Sequence, residues 1–201
     1  MKTVRLVLVG LGNLGRRLCQ VLEDKRSLVR DRHALDLILV GAADSRGAAY
    51  DPLHGLDPET IVKIKRGGGT IADYPDIGKR DWLAHALVET AQADVLLEAS
   101  PVNLDQGAEP GLSSIRTALS RGMHVATPNK GPLVVAYQEL HELAARHKAK
   151  LRFDGTVAGG LPALYLGQRD LRGSVIQQLT AVPNLCTGYV MDMLADGMSW
   201  D

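Results

Sequence analysis

Cysteine is scarce in this chain of 201 residues, which has two, Cys19 and Cys186. Standing so far apart, they match neither a zinc spacing nor a disulfide framework, which points to a reducing compartment and makes the cytoplasm the expected location. An excess of charge is missing as well, since 23 Lys and Arg balance 23 Asp and Glu. With no basic surplus to neutralise a phosphate backbone, nucleic acid is not expected as a partner. Long apolar runs are also absent. The longest are strand-sized, and residues 1–30 lack the charged start, apolar stretch and cleavage site of a secretory signal, so neither export nor a membrane span is expected.

What is present is 45% apolar and 23% charged residues, the balance of a chain that buries a core. Strand-like and helix-like segments alternate, which predicts an α/β fold with a parallel sheet covered by helices. Thr3–Val9 reads as the first strand and stops at Gly10-Leu11-Gly12-Asn13-Leu14-Gly15. The helix that follows is expected to bury Leu14, Leu18, Val21 and Leu22. Leu35–Ala43 is a second buried strand, while residues 47–80 carry little signal beyond a short strand expected at Ile61–Lys65 and a flexible Gly67-Gly68-Gly69. Asp81 is expected to cap a helix through about Thr90. Asp94–Glu98 reads as a third strand, Gly111–Arg121 as a helix, Met123–Ala126 as a fourth strand, Leu133–Lys148 as a helix and Lys150–Phe153 as a fifth strand. After Asp154 the pattern changes to a glycine-rich turn, a helix near Pro162–Leu171, a strand-like run at Ser174–Val182 and a helix from about Leu185. The expectation is a Rossmann-type doubly wound parallel sheet over residues 1–150, followed by part of a second α+β domain over residues 151–201.

Three glycines at these offsets, after a strand and before a helix, fit the dinucleotide fingerprint G-x-G-x-x-G. The first permits a tight turn, the second lets the backbone approach a pyrophosphate, the third lets the helix pack closely, and the helix N-terminus offers N–H groups to the anion. Asp44, 29 residues beyond Gly15, ends the second strand, where a carboxylate can accept from an adenosine ribose. Arg46 could instead pair with a 2′-phosphate, so NAD and NADP both stay open. Lys130, in Thr127-Pro128-Asn129-Lys130-Gly131-Pro132, stands at the carboxyl end of the fourth strand, where open α/β sheets bind ligands. There an amine can handle the proton of a hydroxyl undergoing oxidation. His141-Glu142 starts like a zinc-protease helix but has Ala145 where the second histidine must stand, and no serine sits in a nucleophile elbow.

Taken with Ala43-Asp44, Glu98–Leu104 (EASPVNL), Gly111–Pro132 (GLSSIRTALSRGMHVATPNKGP) and Phe153–Pro162 (FDGTVAGGLP), the fingerprint resembles homoserine dehydrogenase across essentially the whole chain. That resemblance implies NAD(P)-dependent interconversion of L-homoserine and L-aspartate 4-semialdehyde, in the pathway to threonine and methionine. It also implies that Gly10 to Gly15 hold the pyrophosphate, that Ser100 and Pro101 lie beside the nicotinamide, and that Lys130 is catalytic. Gly160, Asn184 and Cys186 would line the substrate pocket, and Asp154 with the carbonyls of Val157 and Gly159 would hold a monovalent cation, usually sodium. Three positions depart from the family pattern: Asp154 replaces glutamate, Leu185 replaces glycine and Cys186 replaces a hydroxyl residue. Members of the family continue well past the position of Asp201. A nucleotide-binding protein without turnover, acting as a sensor or assembly subunit, is the alternative reading. A strand at Ser174–Val182 with an open edge would favour a homodimer.

Overall fold

Residues that alternate faces along a strand must be apolar on both sides when helices cover both faces of a sheet, and the run from Leu6 to Val9 meets that condition. In the computed structural model, which describes residues 1–181 and 185–199, β1 (Lys2–Val9) lies at the centre of the sheet, with Leu6, Val7, Leu8 and Val9 all buried. Around it are β2 (Leu35–Asp44), β3 (Gly47–Tyr50), β4 (Gly78–Lys79), β5 (Val95–Glu98), β6 (His124–Ala126) and β7 (Leu151–Arg152), in the order β4-β3-β2-β1-β5-β6-β7. The pairs from β2 across to β7 are parallel; β3 and β4 are added to the β2 edge antiparallel. Strand order therefore reverses at β1, with β2 on one side and β5 on the other, and a crevice opens there beyond the carboxyl ends of the strands.

Helices α1 (Asn13–Asp24) and α2 (Arg26–His33) link β1 to β2, and α3 (Pro58–Arg66) and α4 (Ala84–Thr90) precede β5. Helix α5 (Gly111–Ser120) leads into β6, and α6 (Lys130–Arg146) into β7. Leu6 and Leu8 share one core with Leu11, Cys19, Leu39, Ile61, Val62 and Ile71, which places α1 and α3 on the same face. Burial pushes the Cys19 thiol up to about 12. The chain divides into two compact units, Met1–Arg152 and Phe153–Asp201. The second contains a turn at Asp154–Thr156, α7 (Ala163–Tyr165) running on into a π-helical turn at Leu166–Asp170, and α8 (Leu185–Ala195). Among the described residues no helix is long and apolar enough to cross a membrane.

Several expectations are corrected. Ile61–Lys65 is helical rather than a strand, because Asp57 caps α3 by accepting from the amides of Glu59 (3.2 Å) and Thr60 (2.9 Å), and Pro58 stands at its first position. The buried face of α1 is formed by Gly15 and Cys19 with Leu18 and Leu22 packed alongside, while Leu14 is 62% exposed because it faces the crevice. Asp81 does not cap α4, whose N-cap is Leu83 with no side-chain hydrogen bond. Helix α6 starts at Lys130 rather than Leu133, since Asn129 caps it by accepting from Gly131 N at 3.0 Å. No strand forms in the described part of the run expected at Ser174–Val182, and Val182 lies outside the described residues. Strand propensity depends on a partner, and among the described residues the second unit holds no strand for this run to pair with.

The α3 cap gives a direct test. Replacing Asp57→Ala leaves two first-turn amides without their acceptor and is expected to cost about 1 kcal/mol, read as a lower urea midpoint with an unchanged denaturant slope.

Candidate nucleotide-binding cleft

At the carboxyl end of β1, Gly10 adopts φ +95° and donates to the Ala43 carbonyl at 2.9 Å. A Cβ at this position would lie 2.3 Å from the Ala99 carbonyl oxygen and 2.5 Å from Ser100 N, so the turn after β1 rests directly on the backbone that leaves β5. Gly15 is needed for the same reason on the other side, since its Cβ would come within 2.0 Å of the Gly10 carbonyl oxygen. Gly12 differs, because a Cβ there meets nothing within 4 Å. It is the N-cap of α1 and carries no side-chain cap, and Gly12, Asn13 and Leu14 at this helix start all border the crevice. A helix start of this kind is suited to an anion.

The crevice has a volume of about 720 Å³. Gly10, Leu11, Gly12, Asn13, Leu14, Asp44, Ser100, Pro101 and Lys130 all border it, so the structure brings these expected site residues of the first unit together. Gly15 stands behind the turn. Lys130, exposed at the first position of α6, faces the crevice from the β6 side, opposite the glycine turn of β1.

Asp44 also borders the crevice, but its carboxylate is already surrounded. One oxygen accepts from Arg46 N (2.9 Å) and Thr70 Oγ1 (2.8 Å), the other from Lys65 Nζ (2.6 Å) and Ile71 N (3.0 Å). Burial pushes this carboxyl up, and the four donors outweigh it, led by Lys65, so that it is held below its ordinary value of 3.8. Four donors fill the acceptor sites that a carboxylate offers. The Arg46 guanidinium is likewise engaged, donating to the carbonyls of Gly68 (3.1 Å) and Gly69 (2.7 Å) at the end of α3. Sequence reasoning misses Lys65, which borders the crevice beside Asp44, because the segment around it has the pattern of a strand.

Beneath the crevice lies a buried polar group to which the sequence pattern assigns no role. Glu98 is fully buried at the end of β5 and accepts from Ser100 N (2.7 Å), Ser100 Oγ and Thr127 Oγ1 (2.8 Å). Asn129 joins the same group, donating through Nδ2 to Ser100 Oγ (3.3 Å) and through its backbone N–H to Thr127 Oγ1 (3.0 Å). An acidic residue closing an otherwise apolar strand, with hydroxyl residues at the ends of two strands, is the signal that could have found it.

In the second unit, Asp154 opens its turn with an exposed side chain, and its carbonyl accepts from Val157 N at 3.4 Å. Ala158 and Gly159 follow in the left-handed region, at φ +57° and +58°. This turn can offer a carboxylate and main-chain carbonyls, an all-oxygen set that fits a hard cation. Among the described residues no group of three or more His, Cys, Asp and Glu could hold a metal. Gly160 and Cys186 are exposed, and Asn184 lies outside the described residues.

Residues 10–154 match the family model described as "Homoserine dehydrogenase, NAD binding domain". The chain belongs to the homoserine dehydrogenase family. Homoserine dehydrogenase of Methanocaldococcus jannaschii is 32% identical over 197 residues, covering 98% of this chain and 57% of its own length. The NAD(+)-dependent homoserine dehydrogenase of Pseudomonas canavaninivorans is 30% identical over 200 residues, covering 100% of this chain and 56% of the relative. The chain thus spans a little over half the length of these relatives. Among solved structures, homoserine dehydrogenase from Thermoplasma acidophilum aligns with a TM-score of 0.67 at 28% identity, over 86% of this chain and 49% of that one. A hyperthermophilic archaeal homoserine dehydrogenase mutant in complex with NADPH aligns with a TM-score of 0.73 at 23% identity, over 85% and 50%, and shares the fold.

Two outcomes test the cleft. Gly12→Ala, at an N-cap where alanine is poorer than glycine, is expected to cost no more than about 1 kcal/mol of stability yet weaken NADH or NADPH binding about tenfold, roughly 1.4 kcal/mol; Gly10→Ala should instead cost about 3 kcal/mol of stability. Calorimetric titration beside urea unfolding separates the two. For Asp44, the depressed folded value means that its stabilisation is fully present above 3.8 and is lost as pH falls through the lower folded value. Asp44→Ala should therefore cost about 3 kcal/mol at pH 7, with the gap to the parent narrowing as unfolding is measured at progressively lower pH below 3.8.

Proposed function

We propose that this chain provides the nucleotide-binding part of an oxidoreductase that interconverts L-homoserine and L-aspartate 4-semialdehyde with NAD or NADP. The observation that carries this reading is the placement of Lys130 on the same crevice as an uncapped helix start behind a glycine turn. The amides following Gly12 would hold the pyrophosphate, Gly10 keeps the turn close against the backbone leaving β5, and Ser100 with Pro101 would lie beside the ring. When bound, the nicotinamide supplies or accepts the hydride. Lys130 takes the proton from the alcohol oxygen in oxidation and returns one to that oxygen in reduction.

The relative named as NAD(+)-dependent and the fold neighbour in complex with NADPH support a coenzyme of either kind. At the Asp44 end of the crevice Lys65 is paired with Asp44, so that end carries no net charge that would select between the two coenzymes. Asp154, with the carbonyls of Val157 and Gly159, is the proposed holder of a monovalent cation, and Gly160, Asn184 and Cys186 are proposed for the substrate side. We place the protein in the cytoplasm as a homodimer.

Homoserine with NAD⁺ or NADP⁺ should give reduced nicotinamide, followed by absorbance. Lys130→Ala should lower kcat by about 10²- to 10⁴-fold while the coenzyme Kd changes little. Tight coenzyme binding without turnover at any protein concentration would favour the nucleotide-binding reading, and absence of binding would remove both.

A further inference from the structure

The buried Glu98 belongs to neither the pyrophosphate turn nor the proton step, yet it joins the two loops that frame the crevice. Its donors come from opposite sides: Ser100 leads into Pro101 after β5, and Thr127 leads into Asn129 and Lys130 after β6. The direction of each hydrogen bond is fixed by its neighbour. Ser100 Oγ accepts from Asn129 Nδ2, so its own proton goes to Glu98 Oε1. Thr127 Oγ1 accepts from Asn129 N, so its proton goes to Glu98 Oε2. Asn129 Oδ1 in turn accepts from Gly131 N at 3.0 Å, the first turn of the helix that bears Lys130. Both branches end on Glu98, whose two oxygens each accept a hydroxyl proton in this arrangement.

Two glycines press this network from outside. A Cβ at Gly111 would lie 2.7 Å from Asn129 Nδ2 and 3.2 Å from Ser100 Oγ, and one at Gly10 would lie 2.5 Å from Ser100 N. The network is therefore closed by backbone that has no room to yield.

We infer that Glu98 is a positioning residue that fixes the Lys130 amine relative to the Ser100-Pro101 shelf, through Thr127, Asn129 and Ser100. The inference rests on the redox reading above for its link to turnover, and on the hydrogen bonds alone for its link to the loops. Glu98→Gln tests it, because an amide of nearly the same volume presents a donor where one of the two hydroxyls needs an acceptor. Native-state amide exchange should rise about tenfold at Ser100, Asn129 and Gly131 while remaining unchanged at Leu8 and Leu96, the pattern of a local opening. With homoserine, kcat should fall about 100-fold, as for a misplacement near 1 Å, while KM and the coenzyme Kd change less than about threefold. In a Lys130→Ala background the same substitution should have no further effect on kcat.

Uniformly faster exchange at all amides, or unchanged exchange at the three named, would overturn the inference, as would full additivity with Lys130→Ala. If Glu98→Gln does not fold, Thr127→Val, which removes one branch at nearly equal volume, should give the same exchange pattern at Asn129 and Gly131, and unchanged exchange there counts against it. Should the parent chain show no turnover, the redox reading fails by that result alone, and the exchange measurement still decides whether Glu98 holds the two loops.

Discussion

Two polypeptide backbones touch where β1 and β5 end, with no side chain between them, and the rest of the crevice depends on that contact. Because Gly10 lies against the Ala99–Ser100 peptide, the turn after β1 is low and the start of α1 is set beside the path leaving β5. At a reversal of strand order the connections leaving neighbouring parallel strands diverge to opposite sides of the sheet. Here the divergence is kept narrow enough that the amides of one helix and the amine of a later one border the same space. Any side chain at residue 10 would push the two crossovers apart before a ligand was present.

The sheet is legible in the sequence because burial on both faces writes itself as continuous apolar runs, and β1, β2 and β5 lie within a residue or so of their expected ends. Lys130 is legible for a topological reason, since carboxyl ends of parallel strands form the ligand edge whatever the helices do. Less can be read where local pattern and tertiary demand disagree. Ile61-Val62-Lys63-Ile64-Lys65 has the β-branched look of a strand, and the cap at Asp57 and Pro58 decides otherwise. Leu14 has the spacing of a core residue, but the helix start is committed to the crevice. Asp44 and Arg46, close in sequence, look like rivals for one ligand. Asp44 is instead held by Lys65, Thr70 and Ile71, and Arg46 by the carbonyls of Gly68 and Gly69, whose approach depends on how α3 and the following turn fold back.

The Glu98 group illustrates why a polar cluster can be retained under a crevice rather than replaced by apolar packing. Each hydroxyl both accepts and donates, so removing one member leaves another unsatisfied in a region where water does not reach, and such groups are costly. The group's members are therefore coupled through shared hydrogen bonds rather than independent. That property suits a floor on which two loops must keep a fixed separation, and it accounts for an acidic side chain at the end of a strand whose other residues are aliphatic.

Cys19, sealed between α1 and the sheet with its thiol held far into the protonated range, is nearly inert as a nucleophile at neutral pH. Cys186, free and exposed on α8, is thereby left as the one alkylation target among the two cysteines. The chain consequently comes with a ready attachment point for a spin label or fluorophore in its second unit, needing no engineered thiol and no removal of a competing one.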